Sequence, residues 1–230
     1  MKLLVTGANG FVAGSVLAQA AGGWEVHAVS RQDAVAGPSH IQWHKCDTLV
    51  SRDLAEVMRR IRPDAIIHTA AVADIDLAER DRNPARAVNV EMTQVLVKGC
   101  NELGARIVFC STDNIFDGEH APYRETDTAV PVNYYAATKV EAEHCVLPLG
   151  KQGVIARLAL VAGLPMLGSG NSFVVRLLAT LRAGGKITVP ASHEIRSPID
   201  IVTAGAALLE LAGGDHHGIF HLAGNDRLSR

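Results

Sequence analysis

The first fourteen residues form the pattern that most constrains how this chain can fold. A short apolar run at residues 3–5 is followed by the turn Gly7-x-x-Gly10 and then by apolar residues at helical spacing. Glycines allow a tight turn and a close approach of phosphates, while the helix N-terminus offers free N–H groups and a positive dipole end. The pattern predicts a site for a dinucleotide pyrophosphate, although an ordinary strand-to-helix turn has the same local sequence. The residues assigned to this contact are Gly7, Asn9, Gly10, Phe11 and Val12.

Strand-like and helix-like segments alternate along the rest of the chain. Strands are predicted at residues 3–5, 25–29, 41–44, 65–68, 106–110, 154–157, 187–189 and 219–222. Helices are predicted at about 54–61, from the Asn83-Pro84 start to Gly104, and at about 133–147, 171–183 and 201–211. This alternation predicts an α/β fold with a Rossmann-like, doubly wound parallel sheet. We expect a single domain over residues 1–230, in which the less regular part from about residue 158 contributes a small C-terminal substrate lobe.

Composition narrows the classes of function. Of the 230 residues, 48% are hydrophobic and the formal charge is -2, so no basic field suggests nucleic acid or an anionic membrane as a partner. The N-terminus lacks a signal-peptide pattern, and no apolar stretch reaches the roughly 18 residues that cross a bilayer. Four scattered cysteines without a CxxC pair predict free thiols, no metal site and a cytoplasmic protein.

Residues that follow the predicted strands are candidates for the rest of the cofactor site. An acidic residue after the second strand binds the adenosine 2′-hydroxyl of NAD, whereas an arginine suits the 2′-phosphate of NADP. Arg31 therefore favours NADP, and Asp33 nearby leaves NAD open. Asp47 could accept a hydrogen bond from the adenine amino group or serve only as a turn residue. The predicted contacts in this region are Ser30, Arg31, Asp47, Thr48, Ala70 and Ala71.

A tyrosine and a lysine follow a long polar segment at residues 111–132, and loops of this length are usually functional. Tyr135 and Lys139 are four residues apart, which places them on one face of a helix, whereas Tyr134 falls on another side. A nearby ammonium favours ionisation of a phenol, so we expect the pKa of Tyr135 to lie below its ordinary value.

Taken together, these motifs resemble the extended short-chain dehydrogenase/reductases, and most closely the dTDP-4-dehydrorhamnose reductase family. The likeness covers nearly the whole chain. It rests on the glycine turn, the Tyr-x-x-x-Lys pair and four further segments. These are STDNIFDG at residues 111–118, PYRE at 122–125, DLAE at 76–79, and Asn89-Val90.

The resemblance implies roles for individual residues. Thr112 would hydrogen-bond the substrate carbonyl, Tyr135 would donate the proton, and Lys139 would hold the nicotinamide ribose. Asn89 would support the lysine through water. Substrate contacts would come from Thr112, Asp113 and Arg196, the arginine binding a nucleotide diphosphate as in related epimerases. The implied activity is NAD(P)H-dependent reduction of a 4-keto nucleotide-linked deoxysugar, with NADP preferred.

Other readings remain open. Dehydration is disfavoured, because dehydratases of this superfamily carry Asp-Glu where this chain has Asp113-Asn114, and an amide cannot act as the base. Arg196 leaves room for a sugar-nucleotide epimerase or a reductase of another carbonyl substrate. A third alternative is an NADP-binding regulatory subunit, and a homodimer is compatible with all three. The resembling proteins continue beyond the point that corresponds to residue 230, which predicts either an incomplete chain or a reduced substrate lobe.

Overall fold

The computed structural model describes residues 1–35, 37–47, 51–168, 172–187 and 194–229. Within them the strands are β1 Lys2–Thr6, β2 Glu25–Ser30, β3 Ile41–Lys45, β4 Ala65–His68, β5 Arg106–Thr112, β6 Gly153–Leu158, β7 Val161–Ala162, β8 Ile195–Arg196, β9 Ile199–Asp200, β10 Gly218–Leu222 and β11 Leu228–Ser229. The helices are α1 Phe11–Gln19, α2 Ser51–Ile61, α3 Ile75–Arg80, α4 Arg82–Arg86, α5 Met92–Leu103, α6 Tyr134–Val146, α7 Phe173–Arg182 and α8 Ile201–Gly213.

Seven parallel strands form the main sheet in the order β10-β6-β5-β4-β1-β2-β3, which confirms the predicted doubly wound, Rossmann-like class. After β1, the chain adds β2 and β3 on one side of it. It then returns to add β4, β5, β6 and β10 on the other side of β1. The direction of winding therefore reverses between β1 and β4. In such sheets the crevice at the carboxyl ends of these two strands is where ligands bind.

The core lies in two layers, one on each face of the sheet. Leu3 and Val5 point to the face covered by α1 and α8, while Leu4 between them points to the face covered by α2, α5 and α6. All three leucine and valine side chains are fully buried. Because alternate residues of β1 are buried on both faces, the strand is apolar without alternation, as a central parallel strand should be.

The segment before α5 departs from the predicted helix start. The sequence places the start of this helix at Asn83-Pro84. In the structure α4 begins at Arg82, with Asp81 at the N-cap position, so Asn83 and Pro84 lie inside the first turn. Proline is tolerated there because the first helical N–H groups have no intrahelical partner. The backbone then passes through a π-helical turn, Ala87–Glu91, into α5, which ends at Gly104 with φ 73° as predicted.

Residues beyond 158 contribute partly to small separate sheets and partly to the main sheet. The pairs β7–β9 and β8–β11 form small separate sheets, while β10 joins the main sheet and α8 packs against α1. Ser172 caps α7 through the N–H of Val175. Asn171, Thr188 and Val189, which the sequence placed in a helix and a strand, lie outside the described residues. No helix in the described ranges is both long and apolar enough to cross a membrane.

Candidate functional site

The glycine turn forms a cradle at the carboxyl end of β1. Gly7 has φ +67°, and a Cβ built there would lie 2.7 Å from the Cα of Ala70. Gly10 donates its N–H to the Gly7 carbonyl at 2.7 Å, and a Cβ on Gly10 would lie 2.9 Å from that oxygen. Both positions therefore need glycine. Ala13, which replaces the third glycine of the usual pattern, is fully buried in the core, where its methyl group is accommodated.

A groove runs from this cradle across the crevice between β1 and β4. It brings together seven of the predicted cofactor contacts, namely Gly7, Asn9, Gly10, Ser30, Arg31, Ala70 and Ala71. Phe11 is buried and Val12 half-buried in the first turn of α1, and no side chain caps that helix. Its free N–H groups therefore remain for an anion, which fits a bound pyrophosphate. Asp47 is exposed after β3, and its contact with adenine stays a prediction, while Thr48 lies outside the described residues.

Asn9 ties the glycine turn to the loop that follows β2. Its amide nitrogen donates to the side chain of Gln32 at 3.2 Å and to the carbonyl of Asp33 at 3.1 Å. Its oxygen is buried and has no hydrogen-bond partner among the described residues. Buried acceptors are normally satisfied, so this atom fits a hydrogen-bond donor of a bound dinucleotide.

Two charged residues near this loop bear on the choice between NADP and NAD. The carboxylate of Asp33 pairs with the ammonium of Lys45 at 2.7 Å, and that hydrogen bond holds the pKa of the carboxyl below its ordinary value. Arg31 is exposed on the groove, and the structure shows no hydrogen bond or ion pair for it within the described part of the chain. The arginine is thus available for a phosphate, while the aspartate already has a cation.

The start of α6 is fixed by one carboxamide and one carboxylate side chain. Asn133 accepts a hydrogen bond from the N–H of Ala136 at 2.8 Å, and Glu79 of the DLAE segment accepts one from the N–H of Tyr134 at 2.6 Å. With the helix held in this register, Tyr135 and Lys139 both face inward, 8% and 2% exposed. Tyr134 lies half-buried on another side of the helix beneath the guanidinium of Arg82.

Thr112 lies at the carboxyl end of β5 beside Tyr135. Its hydroxyl oxygen accepts hydrogen bonds from the backbone and side-chain N–H groups of Asn114, both at 3.2 Å. The hydroxyl proton therefore remains for another acceptor, and the side chain of Thr112 is close enough to Tyr135 to lower the pKa of the phenol. A substrate carbonyl placed between the two hydroxyls would receive a donor from each.

The pKa of Tyr135 differs from the sequence-based expectation. Burial raises it to about 12, Asp113 adds to that effect, and the hydrogen bond with Thr112 opposes it. The prediction of a lowered pKa is wrong for this structure. Burial destabilises the phenolate by more than nearby groups stabilise it. Burial also lowers the pKa of Lys139 to about 8. A phenol with a raised pKa stays protonated near neutral pH, which is the form a proton donor needs.

Asn89 lies in the π-helical turn and holds two elements together. Its side-chain oxygen accepts from the N–H of Val72 at 2.8 Å, and its nitrogen donates to the hydroxyl of Thr138 at 2.9 Å. The loop after β4 is thereby joined to α6 between the two predicted catalytic residues. The water-mediated support of Lys139 stays a prediction, and no sequence motif had pointed to Thr138.

A buried hydrogen-bond chain at His68 was missed by the sequence reasoning. Thr93 donates to the carbonyl of Asn89 at 2.9 Å, so its oxygen must accept from His68 Nε2 at 3.0 Å. His68 Nδ1 is then unprotonated and accepts from the hydroxyl of Thr6 at 2.7 Å. Burial, with the nearby charge of Lys139, lowers the pKa of His68 to about 3. The one available signal was a polar residue that ends an otherwise apolar strand.

Arg196 reaches from the small β8–β11 sheet to the loop after Thr112. Its guanidinium pairs with the carboxylate of Asp113 at 2.9 Å and donates to the side-chain oxygen of Asn114 at 3.3 Å. Its Nε atom is buried without a partner among the described residues. The structure thus brings both predicted substrate residues, Asp113 and Arg196, to the side of Thr112. Nowhere in the described ranges do three or more potential ligands form a metal site.

Comparison with known protein sequences identifies a matching family and two relatives. The family model described as the RmlD substrate binding domain matches residues 1–230. A dTDP-4-dehydrorhamnose reductase of Mycobacterium tuberculosis is 32% identical over 237 aligned residues, which cover 100% of this chain and 72% of that protein. The β subunit of methionine adenosyltransferase 2 from Pongo abelii is 27% identical and covers 100% of this chain and 69% of its own length.

Among solved structures, a dTDP-4-dehydrorhamnose reductase from Bacillus anthracis in complex with NADP superposes with a TM-score of 0.82. It is 25% identical and covers 99% of this chain and 76% of its own. The fold similarity thus extends over the whole sheet and the small sheets beyond residue 158.

Proposed function

The chain belongs to the RmlD substrate-binding-domain family of extended short-chain dehydrogenase/reductases, and on that premise we propose that it reduces the 4-keto group of a nucleotide-linked deoxysugar. Relatives in this family are reductases, one of them solved in complex with NADP, so NADP is the preferred cofactor in this proposal and NAD the alternative. The observation that carries the proposal is that the buried side chains of Thr112 and Tyr135 lie beside one another, with Lys139 one helical turn further along the same face.

NADPH, when bound, would provide the hydride for reduction of the carbonyl carbon. The protein residues act on the carbonyl oxygen. Thr112 donates a hydrogen bond to it, which stabilises the negative charge that develops as the hydride arrives. Tyr135 donates its proton to the forming alkoxide, and its raised pKa keeps that proton in place until then. Lys139, on the same helical face, would bind the nicotinamide ribose.

The substrate is held, in this proposal, between the loop after β5 and a lobe formed by residues from about 158 onward. Two charged side chains, Asp113 and Arg196, meet across that boundary at 2.9 Å. A nucleotide diphosphate would compete with the carboxylate for the guanidinium and could use the unpartnered Nε–H. The same arginine is the feature that favours an epimerase as the second candidate function.

We expect Arg196→Ala to raise KM for a nucleotide sugar by at least about tenfold, because a charge-assisted contact contributes roughly 1.5–3 kcal/mol. The rate with a small carbonyl substrate should not change. Arg182→Ala, at the exposed end of α7, is the control. Equal losses for both substrates would show that Arg196 has a structural role and does not bind the diphosphate.

The proposed activity is tested by mixing the purified protein with NADPH and dTDP-4-dehydrorhamnose. We expect one NADPH to be oxidised for each keto group reduced. Interconversion of epimers without net use of cofactor would instead establish the epimerase. Tight NADP binding without turnover on any 4-keto sugar nucleotide would establish a binding subunit; one relative is named as a subunit of methionine adenosyltransferase 2.

A further inference from the structure

We propose that Phe109 is a positioning residue that keeps Lys139 protonated by presenting the face of its ring to the ammonium group. This inference deepens the proposed function and rests on it, because Lys139 is placed in the catalytic machinery there. Phe109 belongs to β5 and lies beneath α6, three residues before Thr112.

The geometry at this position is that of a desolvated cation over an aromatic face. The Nζ atom of Lys139 lies 4.0 Å from the centroid of the Phe109 ring. The phenylalanine is 0% exposed and the lysine 2% exposed, so water screens the contact little. The π-face of an aromatic ring carries negative charge density and attracts a cation, most strongly where both are removed from water.

The ionisable groups that face Lys139 raise its pKa less than burial lowers it, and most of them are neutral or already paired. On β5, burial raises the pKa of the Cys110 thiol to about 12, so the thiol is neutral. On α6, the carboxylate of Glu143 is already paired with Arg157 at 2.8 Å and accepts from Ser111 at 2.5 Å. One turn earlier on the same face of α6, Tyr135 is a protonated phenol.

The remaining neighbour is His68 on β4, whose ring packs against the same phenylalanine at 5.6 Å. Its hydrogen bonds to Thr6 and Thr93 hold it in the neutral form, so it adds no positive charge beside the lysine. Against the effect of burial, Cys110 and Glu143 raise the pKa of Lys139 electrostatically, and the ring of Phe109 adds a direct contact at 4.0 Å from Nζ.

Lys139 is sensitive to this contact because its proton is weakly held. Burial brings its pKa to about 8, close to the pH at which such a protein works. A buried cation–π contact typically corresponds to a shift of about one pH unit or more. Removing the ring should therefore shift deprotonation of Lys139 toward lower pH and weaken its hold on the cofactor ribose.

The test is a pH titration of lysine side chains by NMR on 13C-lysine-labelled protein, with Lys139→Met to assign the signal. We expect Phe109→Leu to lower the titration midpoint of Lys139 by about one pH unit. Phe109→Met fills the same space without a π-face and should give the same shift if the leucine variant folds poorly. Phe109→Tyr retains the face and should keep the midpoint.

The matched control is Ile107→Ala on the same face of β5, which loosens the same core cluster without touching the ammonium. Its midpoint should match the wild type, and the alkaline limb of kcat/KM should move only in the leucine and methionine variants. An unchanged midpoint in those two variants would overturn the inference. Because the titration needs no substrate, an inactive wild-type protein would count against the proposed function alone.

Discussion

At the scale of single residues, cofactor choice depends on which charges remain unpaired. Asp33 is held by Lys45, whereas Arg31 lies exposed on the cofactor groove. We expect Arg31→Ala to weaken NADPH binding by at least about tenfold and to leave NADH binding nearly unchanged, because an arginine–phosphate contact contributes roughly 1.5–3 kcal/mol. Fluorescence titration with both cofactors measures the two affinities.

Arg62→Ala is a suitable control for this comparison, since Arg62 is an exposed arginine that follows α2 and lies outside the residues that line the groove. The 2′-phosphate role of Arg31 would be excluded if both cofactors lost the same affinity in the Arg31 variant.

Residue types were easier to predict than their electrostatic environments. The need for glycine at Gly7 follows from the strand-turn-helix pattern, and the structure supplies the reason in the backbone of Ala70. The pKa of Tyr135 could not be predicted, because its sign depends on burial, which a four-residue spacing does not determine. For the same reason the neutral state of His68 was invisible in the sequence.

At the scale of secondary-structure elements, the site depends on how α6 is held against the loop after β4. Asn89 makes that connection through Val72 and Thr138. Asn89→Ala removes the acceptor of the Val72 N–H and the donor to the Thr138 hydroxyl, so we expect a loss of about 1–3 kcal/mol in the free energy of unfolding. Urea denaturation measures it.

The same variant should lower kcat, because the hydroxyl of Thr138 also donates to the carbonyl of Tyr135 and so fixes the start of the catalytic turn. Asn101→Ala, at an exposed position of α5, serves as the control. Full stability and activity in Asn89→Ala would show that the connection is dispensable.

Element boundaries could be predicted where a cap or a glycine marks them. Asn133 and Gly104 are such markers. The start of α6 and the C-terminal end of α5 agree with the sequence to within about two residues. The start of α4 was misplaced, since Asn83-Pro84 is equally acceptable inside a first turn. The π-helical turn at Ala87–Glu91 has no local signature and depends on the contacts of its buried side chains.

At the scale of the whole molecule, the fold should lose stability in acid partly through His68. Its pKa is about 3 in the folded protein and about 6.5 in an unfolded chain, so the unfolded state binds more protons between these values. The free energy of unfolding is therefore unaffected by protonation of His68 above pH 6.5 and decreases as the pH falls toward 3. The decrease is about 1.4 kcal/mol per pH unit.

Urea unfolding at pH 7 and pH 5 measures this effect in the wild type and in His68→Gln, which cannot take up the proton. We expect the wild type to lose about 2 kcal/mol more than the variant between the two pH values. Identical losses would mean that His68 is already protonated, or that other groups account for the acid sensitivity.

The topology of the main sheet was predictable from the alternation of apolar strands and amphipathic helices. The arrangement beyond residue 158 was not, because β7, β8, β9 and β11 are two-residue strands that carry no periodic pattern. Their pairing is what brings Arg196 to Asp113, so the substrate side of the site became visible only in three dimensions.

The central claim is that Tyr135 donates the proton during NADPH-dependent reduction of a 4-keto sugar nucleotide. Its most direct measurement is kcat for NADPH oxidation by wild type, Tyr135→Phe and Tyr134→Phe. We expect Tyr135→Phe to lose about 10²–10⁴-fold in kcat with folding and NADPH binding nearly intact, because only the donor hydroxyl is removed. Tyr134→Phe should behave as wild type. Near wild-type kcat in Tyr135→Phe, or loss of activity in Tyr134→Phe alone, would contradict the claim.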